Sequence, residues 1–150
     1  MSNHLAAFAA VFAALFAAHS VGDHWVQTHT QALGKGAPTT AGRLACLRHV
    51  ATLTATKAAA LAALALIAGL TVLPLPLLAG LGVDALSHYW ADRRTTLARL
   101  AERIGKRGFY QLGAPRPGHD DAPHLGTGAY ALDQSWHIGW LFITALIITA

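Results

Sequence analysis

Apolar and polar positions in this chain are arranged in blocks. From Leu5 to Ala18 every residue is Ala, Phe, Leu or Val, and polar side chains then enter at His19, Asp23 and Gln27. That spacing of i, i+4 and i+8 places the three on one face of a helix. A helix over about residues 5–27 is long enough, at 1.5 Å per residue, to cross a hydrocarbon core of about 30 Å. Gly34, Gly36 and Pro38 then break the pattern, and Thr39 or Thr40 is placed to cap a second helix over about 42–70. That helix carries Arg43, Arg48, His49 and Lys57 ahead of an Ala- and Leu-rich stretch. The uncharged run Gly69 to Pro76 reads as a turn. A third helix follows over about 77–104, apolar to Trp90 and amphipathic from Ala91 to Ile104. Gly105 to Gly128 is a long Gly- and Pro-containing loop, and a fourth helix occupies about 129–150. The pattern predicts an all-α fold: one domain over 1–150, with four helices, an extension of the third and one long loop.

Composition decides the solvent. Hydrophobic residues make up 54% of the chain and charged residues 12%, and the mean hydropathy is +0.41. These values predict an integral membrane four-helix bundle. A helical protein with a buried core in water is the competing reading. It is outweighed because the polar interruptions are themselves repeated motifs, and ionisable residues inside a membrane mark functional sites.

The formal charge of +4 raises nucleic acid as a partner, but its distribution argues against one. Arg93, Arg94, Arg99, Arg103, Lys106, Arg107 and Arg116 gather beside apolar segments, and Lys35 and Arg43 flank the first connection. The positive-inside rule makes both basic loops cytoplasmic in a multi-pass cell-membrane protein with both termini outside. Trp25, Trp90 and Trp136 then fall near the cytoplasmic boundary, where an aromatic belt is expected. Met1 to His4 lacks the basic residues of a signal peptide, so the first helix is expected to be retained. Cys46 is the single cysteine and excludes an intrachain disulfide. The expected partners are membrane lipid and an amphipathic small molecule. Association with further copies of the chain stays open.

The spacing of Asp23 from His19 returns as Asp84-x-x-x-His88 and Asp133-x-x-x-His137. With antiparallel helices the motifs fall at two depths below the basic end. Asp23, His49, His88 and Asp133 lie one to two turns in, and His19, Asp84 and His137 lie one turn deeper. Imidazoles and carboxylates gathered in a bundle core suit one or two divalent ions, zinc first for the imidazole content, then manganese or iron for the carboxylates. The plainer alternative is that Asp and His pair with one another, holding helices together or relaying protons. Three pairs and His49 converging in these two adjacent layers favour the metal.

Asp84 and Asp133 are the candidate catalytic carboxylates. Arg93, Arg94 and Gln27 are the candidates to hold an anionic head group. His24 reads as an interface or outer residue, Cys46 as a core filler, and Lys57 as snorkelling or carboxylate-paired. His4, His29, His119 and His124 are expected in solvent. The loop over 105–128 is long enough to act as a lid. No Gly-Lys-Ser or Gly-Lys-Thr follows its glycines, which removes a phosphate-binding loop.

On these residues the chain resembles a family of small bacterial and phage membrane proteins without an assigned activity. The family pattern is His-x-x-x-Asp-x-x-x-Gln in the first helix, Asp-x-x-x-His in the third and Asp-Gln-x-x-His in the last. Here those read His19, Asp23 and Gln27; Asp84 and His88; and Asp133, Gln134 and His137. The basic amphipathic stretch after His88 departs from the pattern. The family looks related to membrane-bound metal-dependent hydrolases, an analogy of fold that does not by itself give function. The resemblance implies a hydrolase in which a metal activates water against a phosphoryl or acyl group of a lipid-like ester. The contrasting expectation is a non-enzymatic membrane component: a metal or proton conduit, or a partner-binding protein of a mobile element. Ser20 and Ser87 lack the elbow sequence of serine hydrolases, so neither supplies a nucleophile.

Overall fold

Helix ends are set by local chemistry that can be read residue by residue in the computed structural model, which describes residues 2–119 and 126–150. Helix α1 covers Ser2–Val21 and runs directly into a π-helical turn, Gly22–Val26, closed by the Gln27 N–H donating to the Gly22 carbonyl at 2.9 Å. Short helix α2, His29–Gly34, begins at a capping box in which the Thr28 hydroxyl and the Gln31 side chain each accept from the other's backbone N–H. Of the two threonines proposed as caps, Thr39 starts α3, Thr40–Ala68, by accepting from the Gly42 N–H at 3.1 Å. Gly69, at φ 70°, ends α3 in the left-handed conformation that glycine adopts without a Cβ penalty. Pro74 opens α4, Pro74–Asp92, at the position where its missing N–H costs nothing.

The predicted continuous third helix is broken. Arg94 adopts φ 56°, and α5, Thr95–Arg103, leaves in a new direction. Neither Gly nor Pro marks the break; distant carbonyls hold it. The Arg93 guanidinium donates to the Lys35 carbonyl at 2.5 Å and to the Ala37 carbonyl, and Arg94 donates to the Ala32 carbonyl at 3.0 Å. A single turn, α6 (Arg107–Tyr110), and the Thr127-capped α7 (Gly128–Thr149) complete the chain. Of the stretch expected as a long loop over 105–128, residues 120–125 lie outside the described residues; within the described part, α6 packs against α7, with the Gly128 N–H donating to the Leu112 carbonyl at 2.8 Å. His119 is exposed; His124 lies outside the described residues.

All consecutive long helices are antiparallel. Gly22 meets Leu53 and Asp23 meets His49 between α1 and α3; His49 meets His88 and Lys57 meets Asp84 between α3 and α4. Between α4 and α7, Gly80 packs on Ile148 while Trp136 donates to Ser87, and Phe8 and Phe12 of α1 pack edge-on against Phe142 of α7. The apolar core, Val11, Leu15, Leu61, Leu81, Leu141, Ala145 and Ile148, lies toward the end that carries the termini. Polar side chains fill the other half.

Three helical stretches are long and apolar enough to cross a membrane: His4–Val26, Thr40–Ala68 and Gly128–Thr149, with mean hydropathies of 1.9, 1.8 and 1.2. Only 28%, 22% and 28% of their apolar windows are buried within the protein, so most of that surface faces outward, as lipid-facing helices require. The fourth long helix, α4, has 19 residues but does not reach the same apolarity, since Asp84, His88 and Asp92 interrupt it.

Candidate metal centre

Each long helix contributes at least one polar side chain at a common depth: His19 from α1 with Asp23 just beyond it, His49 from α3, His88 and Asp92 from α4, and His137 from α7. The four imidazoles are between 0% and 3% exposed. Antiparallel packing sets the depth, and the i, i+4 pairs His19 with Asp23, His88 with Asp92 and Asp133 with His137 supply a carboxylate beside each of three rings.

At the centre four donor atoms converge. The Nε2 atoms of His49 and His88 are 3.1 Å apart. Asp23 Oδ1 lies 3.0 Å from the first and 3.7 Å from the second; Asp92 Oδ2 lies 3.3 and 3.2 Å from them. Ligands at 2.0–2.1 Å around a tetrahedral ion are roughly 3.3 Å from one another, and these five separations, 3.0–3.7 Å, lie around that value. Hydrogen bonding satisfies it poorly. Asp23 Oδ1 and Asp92 Oδ2 are buried without an aligned donor, and Nδ1 of both His49 and His88 has no partner. Buried polar atoms left in this state are costly and call for an explanation. Asp23 with His49 and His88, and His88 with Asp92 and His137, are groups that could hold a metal ion.

Asp84, expected both as a ligand and as a catalytic carboxylate, stands apart. Its Oδ2 accepts from Lys57 Nζ at 2.6 Å, one layer nearer the apolar core, and both side chains are buried. The position expected of it is taken by Asp92, one turn to the other side of His88. Extending the Asp84, His88 spacing by one more step would have found Asp92. Lys35, which holds Asp92 Oδ1 at 2.9 Å from the α2–α3 connection, gave no such signal.

Asp133 lies at the rim, its side chain 27% exposed and its Oδ1 3.5 Å from His137 Nε2. With Asp23, Asp92 and Lys35 it lines a cavity of about 480 Å³, walled by Gln27, Arg94, Tyr110, Tyr130 and Gln134. Of the expected head-group residues, Gln27 and Arg94 face this space, whereas Arg93 is committed to the carbonyls described above. Burial, then the nearby Asp133 carboxylate, push the Tyr110 phenol above its ordinary pKa, with Arg94 opposing. It therefore faces the cavity as a neutral hydroxyl. His24 borders the same space and reaches the Tyr130 hydroxyl at 3.3 Å. Cys46 is buried, its thiol directed at the Tyr89 carbonyl, and His4 and His29 are exposed.

Comparison with known protein families, curated proteins and solved structures finds no match to this chain. The geometry of the centre therefore carries the functional argument.

Proposed function

We propose that this chain is an integral membrane four-helix bundle that binds a divalent metal and hydrolyses the ester or phosphoester bond of a lipid-like substrate. The observation that carries this reading is that Asp23 and Asp92, which contact the buried His49 and His88 rings, also line a polar cavity that borders an apolar one. Leu97 of α5 lines both the 480 Å³ cavity and a groove of about 470 Å³ between α5 and α7, bounded by Ile104, Trp136 and Trp140. An amphipathic molecule fits such a pair of spaces, head group over the carboxylates and chain in the groove. The resemblance to membrane-bound metal-dependent hydrolases agrees with this.

A divalent ion held there would polarise the scissile group and make a bound water a nucleophile near neutral pH. Zinc suits the two imidazoles and two carboxylates best, with manganese and iron next. Asp133, at the rim, is placed to accept the proton that water loses as its oxygen joins the acyl carbon or phosphorus. The same proton then goes to the departing alkoxide, so water is added across the bond without a further reactant. Arg94, Gln27 and the neutral Tyr110 hydroxyl supply donors for an anionic head group.

Protein loaded with zinc, manganese or iron should cleave long-chain esters or phosphoesters in mixed micelles, and a chelator should abolish turnover. Gly139 borders the groove, and a Cβ there meets nothing within 4 Å, so Gly139→Trp can fill it. That variant should raise KM for long-chain substrates and leave short-chain ones unchanged. Absence of turnover with every metal, in folded and metal-bound protein, would favour the conduit reading. One observation supports that second reading: Lys57 and Asp84 extend the polar column one layer beyond the histidines. The apolar core beneath them closes the path.

The same reading orients the chain. The basic connections and the cavity share one end and the uncharged turn after Gly69 marks the other, so the cavity opens to the cytoplasm. The native thiol is buried, so single cysteines report cleanly. Lys106→Cys should resist membrane-impermeant reagents applied from outside, and Thr71→Cys, at the far turn, should react. The reverse pattern would place the cavity in the outer leaflet.

A further inference from the structure

A single ion in the central shell leaves part of the cluster unexplained. It would use His49 Nε2, His88 Nε2, Asp23 Oδ1 and Asp92 Oδ2. Both ring nitrogens of His19 and Nε2 of His137 would remain buried without a hydrogen-bond partner. These rings do not point at empty apolar space. His19 Nε2 lies 3.5 Å from Asp23 Oδ2, and His137 Nε2 lies 3.9 Å from Asp92 Oδ1 and 3.5 Å from Asp133 Oδ1.

Each central carboxylate thus turns one oxygen toward the His49 and His88 pair and the other toward the His19 and His137 pair. We infer that the centre is dinuclear. Asp23 and Asp92 bridge an inner divalent ion held by His49 and His88 and an outer one held by His19 and His137, with Asp133 beside it at the rim. The inference rests on the metal-binding reading above.

Ring geometry supports two adjacent positions. His88 and His137, one from each set, stack with centroids 4.0 Å apart and planes 22° from parallel, so they run side by side. The His19 and His137 centroids are 5.0 Å apart. Lys35 Nζ, 2.9 Å from Asp92 Oδ1, does not exhaust that oxygen, which has two lone pairs. The three carboxylates offset most of the charge of two divalent ions, and an anionic substrate group would supply the rest. The outer position borders the cavity, whose lining includes Asp23, Asp92 and Asp133, whereas the inner one is enclosed by buried side chains. Bridged pairs of this kind sit about 3.5–4 Å apart and clamp the attacking and leaving oxygens of a displacement.

Metal analysis and electron paramagnetic resonance of the full chain separate the outcomes. Wild-type protein equilibrated with manganese should bind two ions per chain and give the spectrum of an exchange-coupled pair. His19→Gln, close to the native side chain in size, should bind one and give the spectrum of isolated manganese. One ion per chain in wild type, or two that are not coupled, would overturn the dinuclear assignment and leave the metal-dependent reading intact. A count of two that His19→Gln leaves unchanged overturns it as well. No bound metal at all would remove both. The wild-type spectrum decides the question even if the variant fails to fold.

Discussion

Asp92→Asn is expected to strip the divalent metal from the protein while the helices stay packed, and Asp84→Asn to do the opposite. The two carboxylates flank His88 by one helical turn on either side, yet their surroundings differ. Asp92 Oδ2 lies within 3.3 Å of both central imidazole nitrogens, so the amide would remove a charged donor from the proposed shell. Replacing groups that merely orient ligands costs 10–100-fold in affinity, so losing a direct ligand should weaken binding by more than about 100-fold. An asparagine carbonyl can still accept from Lys35, which limits the structural loss. Asp84 touches Lys57 instead, and its amide would leave a buried ammonium without a counter-charge. Metal content by elemental analysis, with thermal unfolding of the same preparations, reads both effects. Loss of metal in Asp84→Asn with retention in Asp92→Asn would show that the ligand set is wrongly drawn.

The second large effect concerns that ion pair. Lys57→Met should destabilise the protein by about 3–5 kcal/mol, the usual consequence of leaving one member of a buried pair uncompensated. Lys57 is 0% exposed and Asp84 is 4% exposed, so solvent does little to screen the orphan. The double variant Lys57→Met with Asp84→Leu removes both charges and should recover most of that loss, because apolar replacements of a buried pair are often neutral or stabilising. Metal content should survive in the double variant, since the pair lies one layer below the centre. Reversible unfolding in micelles measures the cycle. A double variant as damaged as the single one would mean that the pair supports the metal site and not only the packing.

Much of the centre was legible because helical periodicity and chain reversal are local facts. His19, Asp23, His49, His88 and His137 were placed at one end by spacing and loop charge alone, and the structure brings them together. Choosing between Asp84 and Asp92 was beyond that logic. Both stand one turn from His88, and which of them meets the cluster depends on Lys57 waiting on α3 at the depth of Asp84. The break at Arg93 and Arg94 was hidden for a related reason. Its cause is a set of carbonyls near residue 35, distant in sequence, so the local pattern still read as helix. The π-helical turn at Gly22 also left no periodic trace, though such turns often mark functional positions.

Trp90, Trp136 and Trp140 form a ladder with centroids 4.7 and 5.9 Å apart, and only Trp25 among the tryptophans stands away in the open, 85% exposed. Trp136 precedes His137 in the chain and donates to Ser87, the neighbour of His88, while its ring helps wall the apolar groove. The indole stack therefore touches both the helices that carry His88 and His137 and the apolar groove beside α5. If the proposed ion and lipid-like substrate bind, ultraviolet emission from the unlabelled protein should respond to both through one set of chromophores, with Trp25 as an internal solvent reference.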